Sequence, residues 1–203
     1  MSNIITKELI ENAFSYDTYK EIVRKLILKN KTSGNNQSES NIYFTKLNAE
    51  RVKRIEKTTV LNEELKRQLD KINSPLIVLV IAEAWCGDVA QNLPPLKVIS
   101  DFNPNVDVKI IFRDENPEVM DQFLTKGTRS IPVFLLIKKD SLEVIGKWGP
   151  RPEPAQEIMR EAKSRKDYSH DEATKEIQLW YAKDRTLTFQ KELSDFLNII
   201  SSD

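Results

Sequence analysis

Apolar and polar positions change their period several times along the chain, and each change marks an element. Tyr19, Ile22, Val23, Leu26 and Ile27 recur at helical spacing, and Ser15 or Asp17 is placed to cap them. That pattern predicts a helix of roughly one to two dozen residues ending at Asn30. The following KTSGNNQSES is nearly free of apolar residues and reads as a loop with the composition of a mobile segment. Leu47, Val52, Ile55, Leu61, Leu65, Leu69 and Ile72 then outline a helical zone from about Lys46 to Lys71, which the β-branched trio Thr58-Thr59-Val60 divides in two.

Beyond Ser74-Pro75 the pattern becomes continuous. Leu76 to Ile81 is apolar and largely β-branched, as a strand buried on both faces requires, and Val106 to Phe112 is a second strand. The residues between, Gly87 to Phe102, hold one crossover helix, so the two strands should run parallel. A short helix follows over Glu118 to Leu124. Pro132–Lys138 and Leu142–Trp148 flank the tight turn Lys139-Asp140-Ser141 and should pair as an antiparallel hairpin. Pro152-Glu153-Pro154 opens a further helix running to about Ser164.

A last helical region spans about Glu172 to Ile200, and its stripe changes phase. Ile177, Trp180 and Tyr181 share one face, while Phe189, Leu193, Phe196, Leu197 and Ile200 share another. Either the helix breaks near Asp184 to Thr188 or its halves pack on different surfaces. This divides the chain into a helical N-terminal extension (1–73), an α/β core (74–165) and a C-terminal helical extension (166–203).

Composition narrows the function classes. The 203 residues carry 31 basic and 31 acidic side chains. That balance removes the electrostatic reason to expect a nucleic-acid or membrane-surface partner. The longest apolar run, Leu76 to Ala82, would span about 11 Å as helix against the ~30 Å of a membrane core. The start MSNIITKELI has no apolar signal core, so a soluble, cytoplasmic protein is the expectation. One cysteine excludes an internal disulfide, and with one histidine it argues against a metal cage; no cofactor is implied.

The single thiol, Cys86, follows the buried strand and begins the crossover helix, within Ala84-Trp85-Cys86-Gly87-Asp88-Val89. Unpaired N–H groups and the positive end of the helix dipole favour a thiolate there, and Gly87 permits close approach. Asp88 opposes the effect with its own negative charge.

These residues resemble the thioredoxin superfamily. Trp85-Cys86-Gly87 is similar to the start of Trp-Cys-Gly-Pro-Cys, and Pro94 occupies the position of the family's helix-kinking proline. Asp114-Glu115-Asn116-Pro117 resembles the Asp-x-Asn-Pro after the next strand. Thr128 to Phe134 resembles the loop and strand bearing the cis-proline, and Gly146-Lys147-Trp148-Gly149 the hairpin's end. The nearest likeness is to proteins reading Trp-Cys-Gly-Asp-Cys followed by Ala-Gln-Asn-Leu-Pro, matched here by residues 90–94.

The resemblance implies an α/β thioredoxin-like fold of about four strands flanked by helices, with Cys86 as an at least partly accessible nucleophile. Trp85, Gly87, Asp88, Ile131 and Pro132 would bind substrate, the last two through a cis bond and a strand-like backbone contact. Two departures matter. The resolving cysteine's position holds Val89, and the buried aspartate six residues before the nucleophile is replaced by Val80.

Three functions follow as expectations. The first is one-thiol exchange, in which Cys86 attacks a protein or small-molecule disulfide and an external thiol resolves the product. The second is a redox-inactive binding module. The third is a homo-oligomer built on the second face of the C-terminal helix. Other candidates have plainer readings: Asp88 as a helix-start carboxylate, Arg113 and Arg129 as solvated surface, His170 as a linker residue, Trp180 and Tyr181 as packing anchors.

Overall fold

A computed structural model describes residues 4–165 and 169–200. The helices are α1 (Lys7–Asn12), α2 (Tyr16–Leu28), α3 (Glu39–Thr58), α4 (Glu63–Leu69), α5 (Gly87–Phe102), α6 (Pro117–Gln122), α7 (Glu153–Ser164), α8 (His170–Asp184) and α9 (Leu187–Ile200). The strands are β1 (Phe14–Ser15), β2 (Leu76–Ala82), β3 (Val106–Phe112), β4 (Val133–Lys138) and β5 (Val144–Trp148). They form one mixed sheet in the order β1-β3-β2-β4-β5.

The sheet explains the sequence pattern. β2 pairs parallel with β3 and antiparallel with β4, so it is central. Ile77 to Ala82 are buried accordingly. β4 and β5 make the expected hairpin, with a register shift between Leu136 and Ile137. The fifth strand, β1, was not expected: two residues pair antiparallel with β3 at its outer edge. Two residues are too few for any alternation to appear in the sequence.

Side-chain caps fix where helices begin. Ser15, Ser38 and Asn62 each accept the N–H three residues on, opening α2, α3 and α4. The Ser38 cap starts α3 well before Lys46, and the expected break near Thr58-Thr59-Val60 separates α3 from α4. The polar loop before α3 is pinned rather than loose. Ser33 is buried, donates to the Glu83 carboxylate and accepts from the Ala84 N–H at 2.8 Å.

The C-terminal region breaks where its stripe changes phase, with Arg185 and Thr186 at positive φ. Ile177 and Tyr181 of α8 pack with Ala155 of α7. Phe189, Leu193 and Leu197 of α9 join the main core instead. Phe189 meets Phe134 and Trp148 edge-on, with ring centroids 5.8 and 4.8 Å away. Phe189, Leu193 and Leu197 of the second stripe are therefore covered by the chain's own core, with Phe196 packed against it. Residues 166–168, at the expected boundary of the C-terminal extension, lie outside the described residues. No helix among the described residues is long and apolar enough to cross a membrane.

Candidate functional site

The end of β2 delivers Cys86 to the N-cap of α5, with Gly87 and Asp88 as the first helical residues. Opposite lies the cis peptide Ile131–Pro132 at the start of β4. The Cys86 thiol donates to the Ile131 carbonyl oxygen at 3.4 Å. Trp85, Cys86, Gly87, Asp88 and Ile131 line one cleft of about 470 Å³, while Pro132 is buried immediately before β4 and does not line it. The residues singled out from sequence are thus brought together. Arg113 covers the Trp85 ring, its guanidinium carbon 5.1 Å from the centroid.

The thiol itself corrects one expectation. Cys86 was expected to be at least partly accessible; it lines the cleft but is buried, only 8% exposed. Burial pushes its pKa up to about 12, and the Asp88 charge adds to the rise. The Val89 and Asp88 N–H groups and the Arg151 guanidinium pull in the opposite direction but do not prevail. The helix-start activation expected from sequence is present, and desolvation outweighs it.

Asp88 is more than a helix-start carboxylate. Its Oδ2 accepts from Arg151 Nε at 3.0 Å and Nη2 at 2.6 Å, and its Oδ1 accepts from the Tyr181 hydroxyl at 2.9 Å. Asn92 Nδ2 donates to that same hydroxyl at 2.8 Å. One step away, Gln91 Nε2 donates to Gln178 Oε1 at 2.8 Å. Helix α8 is therefore bonded across the first turns of α5. Gln178 Nε2 lies 3.0 Å from where a Cβ on Gly87 would stand, so a side chain there would push this amide back by a few tenths of an ångström. Tyr181 is a packing anchor, as expected, and also a hydrogen-bonding part of the site.

Position 80 on β2 is apolar and buried, so no carboxylate lies there. A buried carboxylate appears three residues later instead. Glu83 accepts from Ser33 and, at 3.0 Å, from the Asp114 N–H, and burial raises its pKa. It ties the loop before α3 to the Asp114-Glu115-Asn116-Pro117 segment, where Gly34 at φ +76° approaches Asp114 so closely that a Cβ would stand 2.5 Å from Oδ2.

Sequence reasoning missed Arg51, Arg151 and Gln178, and took Tyr181 only for packing. Arg51 Nη1 donates to Asn48 Oδ1 at 2.8 Å and reaches the cleft from α3. His170 also lines the cleft, from the start of α8. Among the described residues no cluster of histidine, cysteine and carboxylate side chains could hold a metal ion. A larger groove, about 770 Å³ and lined by Tyr19, Val23, Val52 and Ala90, includes none of the residues that the sequence singled out for the site.

Comparison with known proteins agrees with the fold. Two solved structures share the fold over nearly their whole length. One is an HIV epitope scaffold, 21% identical, with TM-score 0.55, covering 94% of this chain and 99% of its own. The other is a Pseudomonas aeruginosa protein of unknown function, 19% identical, with TM-score 0.55, covering 93% of this chain and 98% of its own. No curated protein matches the chain. The family model described as thioredoxin matches residues 34–164, which takes in α3 and α4 as well as the core. With that match over more than half its length, and the thiol and cis-proline side by side, the chain belongs to the thioredoxin family.

Proposed function

We propose that this chain performs one-thiol exchange through Cys86, from a resting state in which the thiol is held protonated. The observation that carries the reading is the placement of the sulfur. It lies at the N-cap of α5, against the Ile131 carbonyl beside the cis-proline, on the wall of a cleft large enough for a small disulfide. In the forward step the Cys86 thiolate attacks one sulfur of a disulfide. That S–S bond breaks, a mixed disulfide forms on Cys86, and the departing thiolate takes up a proton equivalent to the one Cys86 gave up. Val89 supplies no thiol for the second step. An external thiol must therefore attack the mixed disulfide and return Cys86 to its starting form.

Exchange by this route is slow at neutral pH. With the pKa pushed up to about 12, roughly one thiol in 10⁵ is ionised at pH 7. Intact-protein mass measured after incubation with excess hydroxyethyl disulfide should show a single adduct that an added thiol removes, and Cys86→Ser should show none. An unmodified wild-type protein after prolonged incubation at pH 9 would sink the exchange reading. The raised pKa also favours a second reading, a redox-inactive binding module, and that negative result would leave it standing.

A further inference from the structure

We propose that the Cys86 cleft takes a small carboxylate-bearing thiol or disulfide, and that Arg51 binds its carboxylate. This names a substrate class for the exchange reading and rests on that reading for the covalent step alone.

Four arginines line the cleft, Arg51, Arg113, Arg129 and Arg151, against two aspartates, Asp88 and Asp171. Three of the arginines are already paired. Arg151 holds Asp88 at 2.6 Å, Arg113 holds Asp114 at 2.8 Å, and Arg129 holds Asp121 at 2.6 Å. Arg51 has no ion-pair partner among the described residues, and Asp171 lines the same cleft without pairing with it.

Arg51 is nevertheless held in place. Its partner Asn48 is buried, and Asn48 Nδ2 donates to the Ala84 carbonyl at 3.1 Å, which fixes the amide that receives Arg51 Nη1. The guanidinium reaches the start of α5, with Nη1 3.6 Å from where a Cβ on Gly87 would stand. Burial lowers its pKa and the charge of Arg54 lowers it further, while Tyr43 and the Asp88 carboxylate, itself held by Arg151, act in the opposite direction without prevailing. A half-buried guanidinium in this position gains from a planar oxyanion that accepts two N–H bonds. The same spot faces the positive end of the 16-residue helix α5, which adds to the preference for a negative group.

A carboxylate on Arg51 is placed near Gly87, the residue after Cys86, in the cleft that all three line. The rest of a peptide-sized molecule then has the cleft's 470 Å³ in which to bring its sulfur to Sγ. In the covalent step the ligand's S–S bond breaks, one half remains as a mixed disulfide on Cys86, and the other leaves as the free thiol.

Two measurements test the assignment. Rates of mixed-disulfide formation are compared for dithiodipropionate, hydroxyethyl disulfide and cystamine, which are anionic, neutral and cationic. The wild-type protein should favour the anionic reagent, and Arg51→Gln should cut the anionic-to-cationic rate ratio about tenfold, with Arg51→Lys retaining part of it. Separately, calorimetric titration of Cys86→Ser with thiodipropionate, a thioether that cannot exchange, should give binding that the added Arg51→Gln removes. Equal charge preference in wild type and Arg51→Gln, or thiodipropionate binding that ignores the substitution, overturns the assignment. If no disulfide of any charge modifies Cys86, the exchange reading falls, while the titration still decides whether Arg51 binds a carboxylate.

Discussion

Arg151→Met is expected to destabilise the protein by about 3–5 kcal/mol, read as a shift in the urea unfolding midpoint. The Arg151 and Asp88 side chains are 17% and 10% exposed, so the pair is largely out of water. Removing the guanidinium strips two donors from Asp88 Oδ2 and leaves the carboxylate with the Tyr181 hydroxyl alone on its other oxygen. Methionine keeps much of the stem's volume, which confines the loss to the charge. The double variant Arg151→Met with Asp88→Asn should recover a large part of it, because no buried charge then remains unpaired. The single variant also leaves Asp88 uncompensated beside the thiol, which should slow Cys86 modification further. A cost below about 1 kcal/mol for Arg151→Met would mean that the pair, which ties the segment before α7 to the start of α5, contributes no more than an exposed one.

Val89→Cys should have the largest chemical effect. Position 89 is the third residue of α5 and is buried, one helical turn from the N-cap Cys86. Residues three apart on a helix have Cβ atoms about 5–6 Å apart, close enough for a disulfide after a small adjustment. Excess hydroxyethyl disulfide would first form the mixed disulfide on Cys86. The new thiol would then attack that sulfur, expel the second half of the reagent as a thiol, and close an internal disulfide. The expected mass change is loss of two hydrogens in place of a stable adduct, and resolution becomes independent of any added thiol. A persistent adduct on Val89→Cys would show that the start of α5 no longer has the two-thiol geometry of its family.

How much of this was readable in advance depended on how local each feature is. Strands β2 and β3, the crossover helix and the hairpin were legible because period and length are properties of consecutive residues. The break before α9 was legible for the same reason, since its stripe changes phase within a few positions. Cys86 and the cis-proline came from short motifs. The two-residue β1 left no period to detect, and the early start of α3 depends on one serine cap amid polar residues. The bonds that close the site were not legible at all. Arg151 and Tyr181 reach Asp88 from 63 and 93 residues away, and nothing in the spacing of an arginine or a tyrosine names its partner. Burial of the thiol was missed for the same reason: Cys86 joins the main core, and the Ile131 carbonyl that accepts from it lies 45 residues further along the chain.

The resting thiol is the centre of this description, and the pH dependence of Cys86 alkylation tests it most directly. Thiolate is the reacting form, so the rate follows the ionised fraction. A thiol whose pKa is pushed up to about 12 should react about ten times faster for each pH unit from 7 to 10, without levelling off. The same protein in denaturant should level off near the ordinary thiol value of about 8.5. The raised pKa also carries a sign for stability. The folded state holds the proton more tightly than the unfolded state, so the stability it contributes is complete below the unfolded pKa and lost as pH rises through the folded one. A folded-state plateau with its midpoint below about 8 would contradict the description, because it would mean that an ionised, activated Cys86 is already present at rest.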